Sequence, residues 1–166
     1  MHQRILIMLV IILENLFCIA QNTIPVPNAL YIEFGGNAGY GSLNYERLAL
    51  SKKKIQLGIR VGLSTLKIKD YRNKFNPDII IPLSLNVTYG DKHKAETGVG
   101  TTYTNTISVG ENLSPVRTSS LHGNLNIGYR YQKATGGLLI RVCYTPLIEY
   151  FTTFHHWAGV SVGYAF

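Results

Sequence analysis

From Asn28 to Phe166, bulky apolar residues recur at every second position, and no stripe at the helical period runs through the same stretch. The alternation falls into eight segments: Asn28–Gly36, Tyr40–Leu50, Ile55–Thr65, Ile79–Gly90, His93–Thr104, Ser119–Gln132, Gly137–Thr145 and a closing one from Ala158. The third is the clearest, with Ile55, Leu57, Ile59, Val61 and Leu63 set against Gln56, Gly58, Arg60, Gly62 and Ser64. In the last, Val160, Val162, Tyr164 and Phe166 alternate with Gly159, Ser161, Gly163 and Ala165. A period of two puts successive side chains on opposite faces of a strand, so each segment has one greasy face and one small or polar face.

The connections alternate as well. Those near 52, 91 and 134 are short, and those near 72, 112 and 150 are long. Outer-membrane barrels have short periplasmic turns and long external loops, and an even strand number puts both chain ends on the periplasmic side. The glycine-rich link Gly35–Gly39 is an exception, being a short connection on the external side. A tilted strand crosses a bilayer in about 9 to 11 residues, which these segments supply. The pattern predicts an all-β chain, a closed antiparallel eight-stranded transmembrane β-barrel over residues 28–166.

Aromatic residues on the greasy face sharpen this picture. Tyr89, Tyr129, Tyr131, Tyr164 and Phe166 come at strand ends facing the short turns, while Tyr103 and Tyr144 come at the opposite ends. They predict two interface girdles bounding an apolar band. The closing segment is expected to seal the sheet against the first, leaving no open edge.

The other face holds charge: Glu33, Glu46, Glu96, Arg60, Arg130 and Arg141. An eight-stranded barrel is just wide enough for side chains to fill it, and an unpaired interior charge is very costly. Equal numbers of acids and guanidinium groups therefore predict mutual pairing and a plugged interior, in preference to a selective pore. Glycines at 58, 62, 98, 100, 128, 159 and 163 are expected to leave room for the long arginines.

The first 20 residues read as a secretory signal, with Arg4 ahead of an apolar run from Ile5 to Leu13 and small residues before a cut at Gln21. That run is too short for a membrane-crossing helix, which takes about 20 residues. Residues 21–27, with two prolines, are expected to be a short periplasmic leader. After cleavage only Cys143 remains, so no disulfide framework is expected. Net charge is +7, with charged residues only 15% of the chain and apolar ones 46%. The cations read as spread over the loops without interleaved aromatics, which argues against nucleic acid and for anionic groups at a membrane surface.

Chemistry is thinly signalled. A nucleophile needs a base within hydrogen-bond reach, itself oriented by a third group. His122, His155, His156, Ser119, Ser120 and Glu149 lie near the external rim, but no spacing forces any two together, so no catalytic residue is assigned. By parity His122 and His155 face inward and His156 outward, which also argues against a His155–His156 metal site. No cofactor is expected. The loop cations Lys67, Lys69, Arg72 and Lys74 are candidates for contact with lipopolysaccharide phosphates.

The stretches Asn28–Asn37, Ser42–Arg47, Gly128–Gln132, Gly137–Pro146 and Trp157–Phe166 resemble the small outer-membrane β-barrel proteins of Bacteroidetes-type bacteria, similar to OmpA- or OmpX-type barrels. The resemblance implies an outer-membrane location and a structural or surface-interaction role. It also implies a monomer whose closing strand is read by the barrel-assembly machinery, and it brings no catalytic residues. Three readings remain beside it: a lipid A-modifying enzyme, a narrow channel for small solutes, and a soluble lipocalin-type barrel with its apolar residues facing inward.

Overall fold

The computed structural model describes residues 26–70, 72–110, 114–149 and 153–166. The signal reading over 1–20 and nearly all of the leader lie outside the described residues. Ten strands follow one another: β1 Asn28–Gly35, β2 Gly41–Lys52, β3 Ile55–Leu63, β4 Ile79–Gly90, β5 His93–Val109, β6 Pro115–Gln132, β7 Gly137–Tyr144, β8 Leu147–Glu149, β9 Thr153–His155 and β10 Ala158–Ala165. Antiparallel pairing runs β5-β4-β3-β2-β1-β10-β7-β6, and a β5–β6 ladder closes the ring. β1 is sealed by β10 from Ala29↔Ala165 to Gly35↔Gly159. Eight strands form the wall. The short β8 and β9 are continuations of it: β6 pairs with β7 over Ile127–Gln132 and then with β8 at Gly123 and Asn124, while β9 folds back on β8.

The polarity of the barrel is inverted. Phe34, Leu63 and Ile127 are each more than 60% exposed, whereas Glu33, Arg60 and Arg141 are fully buried. This follows from the period-two pattern: once the sheet closes, one face of every strand is the outer wall and the other the lumen. Few apolar residues are buried: Ala29, Tyr31, Leu139 and Ala165 cluster with Val26 against them, and Ala38, Ile80 and Cys143 are buried outside that cluster.

Four connections depart from the sequence reading. The link after β1 forms a 3₁₀ turn, Gly36–Ala38, whose three residues are all buried. It folds inward rather than spanning the outer rim. β2 runs on to Lys52, past a register shift between Leu48 and Leu50. The expected loop 105–118 is mostly strand, because the β5–β6 ladder continues out to Val109↔Pro115. Thr104, Thr106 and Thr118 keep good strand propensity there after the apolar alternation has faded, so the ladder persists without a greasy face. Finally, the expected loop Pro146–Phe154 contains β8 and most of β9.

Residues 64–70 and 72–78 belong to a loop tied to the far end of the β5–β6 hairpin. The Asp70 carboxylate accepts from the backbone N–H of Arg72 and Lys74 at 2.9 and 3.0 Å, closing a turn through left-handed Asn73. The Asp78 carboxylate accepts from Ile107 N–H at 2.9 Å, and Arg117 donates to Asn76 and Asn105.

Candidate functional site

The interior is organised around one continuous chain of alternating charges. Arg60 Nη2 donates to Glu33 Oε2 at 2.7 Å, and Arg141 Nη1 donates to Glu33 Oε1 at 2.5 Å. The Nε of Arg141 donates to Glu96 Oε1 at 2.6 Å, and Arg130 Nε lies 2.7 Å from Glu96 Oε2, an ion contact outside hydrogen-bond angles. Arg130 then grips Glu46 with both terminal nitrogens, at 2.5 and 2.7 Å. The order is Arg60–Glu33–Arg141–Glu96–Arg130–Glu46, with no surplus of either sign. Such an arrangement offsets the desolvation that makes isolated buried charges untenable.

Polar neighbours complete the chain at its ends. Arg60 Nε donates to Asn44 Oδ1 at 3.0 Å, while the Glu46 carboxylate accepts from Tyr31 Oη at 3.2 Å and Asn86 Nδ2 at 3.0 Å. Tyr31 is a large interior ring because Gly163 stands opposite it; a Cβ there would lie 2.5 Å from Tyr31 Cα. The interior glycines do not make room for the arginines as the sequence suggested. A Cβ at Gly58 would meet the Glu46 carboxylate, and one at Gly62 would meet Asn44 and Pro82.

A seventh charge lies inside. Lys94 is buried and donates through Nζ to Gln56 Oε1 at 2.6 Å. By parity it shares the face of Glu96, so the interior charge balance read from the sequence is one cation short. Toward the short turns the lumen holds Lys94, Gln56 and the apolar cluster around Tyr31 and Leu139. Toward the long loops the 3₁₀ turn forms a second stopper. Asn37 Nδ2 donates to Asn124 Oδ1 at 3.0 Å, Asn124 Nδ2 to Thr102 Oγ1 at 2.9 Å, and Thr102 Oγ1 to the Asn37 carbonyl at 2.8 Å.

Two cavities flank this filled middle and share no lining residue. One of about 170 Å³ lies above the stopper, against Ala38, Leu66, Ile80, Thr104, His122 and His155. The other, of about 20 Å³, is at the short-turn end near Gln56, Thr88, Arg130 and Gln132. His122 and His155 thus come to one cavity, and Thr104 Oγ1 is 3.1 Å from His122 Nε2. His156 reaches the Tyr144 hydroxyl on the outer face instead. Ser119 Oγ bonds to Tyr103 and Asn105. Among the described residues, no group of three or more metal-binding side chains comes together.

On the outside, Tyr89, Tyr103, Tyr129, Tyr144, Tyr164 and Phe166 are exposed at strand ends, and Tyr131 is half-buried against His93. Sequence reading missed Tyr45 at the short-turn end and, near the long loops, Phe34, Tyr40 and Trp157. Tyr40 and Trp157 meet edge-to-face at 6.4 Å. Phe34, Tyr40 and Trp157 sit on or just beside strand ends, which is the signal that could have found them, whereas Tyr45 lies within β2. The cations Lys67, Lys69, Arg72 and Lys74 are exposed, but Asp70 and Asp78 belong to the same loop.

The cations are not spread evenly over the connections, contrary to expectation. The short-turn end carries Arg47, Lys52, Lys53, Lys54, Lys92 and Lys133 against Asp91 alone. The connections at the other end carry five cations and four acids in sequence: Lys67, Lys69, Arg72, Lys74 and Arg117 against Asp70, Asp78, Glu111 and Glu149. A linear sequence hides this because the two ends alternate along it.

The N-terminal β-barrel domain of OprF from Pseudomonas aeruginosa, seen in a crystal structure, superposes on this chain with a TM-score of 0.57, covering 85% of this chain and 96% of that one. The chain has the OprF-type barrel fold. Sequence identity is 13%, so the likeness is one of architecture. No family model and no curated protein matches the sequence.

Proposed function

We propose that this chain is an integral outer-membrane β-barrel protein, with its short turns toward the periplasm and a structural or surface-interaction role in the cell envelope. The observation that carries this reading is the inverted wall. Leu30, Ile32, Leu43, Ile59, Leu85, Val99, Leu125 and Val162 are all exposed on the outer face, around a lumen of ionised side chains. Water would penalise so large an apolar surface, whereas hydrocarbon accepts it, and a closed barrel leaves no backbone group unpaired at membrane depth. A lipocalin-type barrel needs the opposite polarity.

The filled lumen favours a plug over a conduit: the fully buried ion chain and the Asn37 stopper lie between two cavities with no common wall. In this reading the protein acts as a monomer. Its closing strand β10 is read by the barrel-assembly machinery, and the loop cations Lys67, Lys69, Arg72 and Lys74 contact lipopolysaccharide phosphates. Fractionation of expressing cells tests the proposal, together with gel migration of unboiled and boiled samples. A folded, heat-modifiable species that co-sediments with outer membranes is expected. Recovery as a water-soluble species without detergent would overturn it.

A further inference from the structure

The basic rim at the short-turn end has no role in the plug, and its makeup points to a partner. Six cations face a single acid there, and the three turns β2–β3, β4–β5 and β6–β7 each contribute lysine, so the collar is positive over three of the four strand pairs at this end. Among the described residues, Lys54 alone of these cations forms an ion pair, to Asp91 at 3.2 Å. The collar lies at the height of an aromatic girdle. Lys92 Nζ sits 5.3 Å from the centre of the Tyr131 ring, with His93 Nδ1 hydrogen-bonded to Tyr129 Oη at 2.6 Å beside it. On β2, Arg47 projects outward two residues beyond Tyr45, whose own hydroxyl is tied to Asn28 at 2.7 Å. Tyrosine rings take the level of lipid headgroups, and cations one turn beyond them stand at the level of phosphates.

We propose that this collar is a binding surface for the phosphate headgroups of anionic phospholipids in the leaflet facing the short turns. The inference rests on the membrane reading above but goes beyond it, because it assigns the protein's electrostatic preference to the leaflet opposite its long loops. The loop end offers little net charge for such a role, since its five cations are matched by four acids. A lysine held near an anionic surface gains about 1 kcal/mol, or roughly a fivefold preference, so a few unpaired ones suffice to enrich anionic lipid around the barrel.

The test uses the full chain in phosphatidylcholine vesicles containing about one quarter phosphatidylglycerol, with the relative association of the two lipids read by spin-labelled analogues. Wild type should enrich phosphatidylglycerol severalfold. Lys52→Gln/Lys53→Gln/Lys92→Gln/Lys133→Gln should bring the ratio close to parity. The same four positions changed to Arg should keep it, as should Lys67→Gln/Lys69→Gln/Lys74→Gln. Salt at about 1 M, where the Debye length is about 3 Å, should erase the wild-type enrichment and does not depend on any variant folding. Enrichment that survives salt or the four Gln substitutions, or that is lost with the loop lysines, overturns the proposal. Wild type that inserts and shows no enrichment overturns the collar alone. A chain that stays in the aqueous phase overturns the membrane reading and the collar with it.

Discussion

Arg141 is the middle cation of the interior chain and the only one holding both Glu33 and Glu96 through hydrogen bonds. Replacing it with Met preserves bulk and removes the charge. Glu33 then keeps Arg60, but Glu96 and Glu46 are left to share Arg130, an excess of one buried carboxylate in the chain. Removing one partner of a buried pair costs about 3–5 kcal/mol, and Arg141→Met should fall in that range. Glu96→Gln alone strands a guanidinium instead and should cost a similar amount. In the double variant the remaining charges resolve into two complete pairs, Arg60–Glu33 and Arg130–Glu46, at 2.7 and 2.5 Å. Its cost should therefore fall short of the summed singles by about 2 kcal/mol or more, near the upper end of coupling energies for residues in contact. Denaturant unfolding in detergent micelles, followed by fluorescence of the one tryptophan, Trp157, and by gel migration, gives all three values. If Arg141→Met shifts stability by less than about 1 kcal/mol, or the singles add within about 0.5 kcal/mol, the chain is not a coupled network.

Other outcomes follow from single contacts. Gly36→Ala places a Cβ 2.6 Å from both Glu33 carboxylate oxygens at a φ of +74°, so it should destabilise the barrel by about 1–3 kcal/mol in the same unfolding assay. Leu85→Arg, in the middle of β4 on the outer wall, should cost about 2–4 kcal/mol in lipid bilayers. A near-zero effect would mean that this face meets water. Asp78→Ala removes the acceptor of Ile107 N–H and should free the 64–78 loop, read as faster proteolytic cleavage there with the barrel intact.

Strand number, parity and six of the seven lumen charges were readable because period two survives in the wall strands, Lys94 being the exception. Which charge meets which was not. Register sets Glu46 opposite Arg60 and Arg130 opposite Arg141, yet Arg60 reaches past Glu46 to Glu33, and Arg130 crosses to Glu46, 84 residues away. Those choices depend on barrel curvature and on how far a guanidinium extends, neither of which leaves a local sequence mark. The inward course of Gly36–Ala38 was equally hidden: two glycines announce a turn without saying to which side it folds. The long ladder beyond Tyr103 escaped notice for the opposite reason, since its residues suit a strand but bury no apolar face.

The ion chain also bears on the order in which the molecule closes. Its members lie on β3, β1, β7, β5, β6 and β2 in turn, and only Glu96–Arg130 joins strands that are neighbours in the ring. Arg130 and Glu46 face each other across the full width of the lumen. The Arg141–Glu33 and Arg130–Glu46 contacts link strands on opposite sides of the β1–β10 seam, so they form after that seam has zipped. Interactions that appear past the rate-limiting step leave assembly rates almost untouched and slow the reverse reaction. Arg130 and Arg141 thus work as a latch that makes the finished barrel slow to reopen, and their replacement should shorten its lifetime far more than it delays its formation.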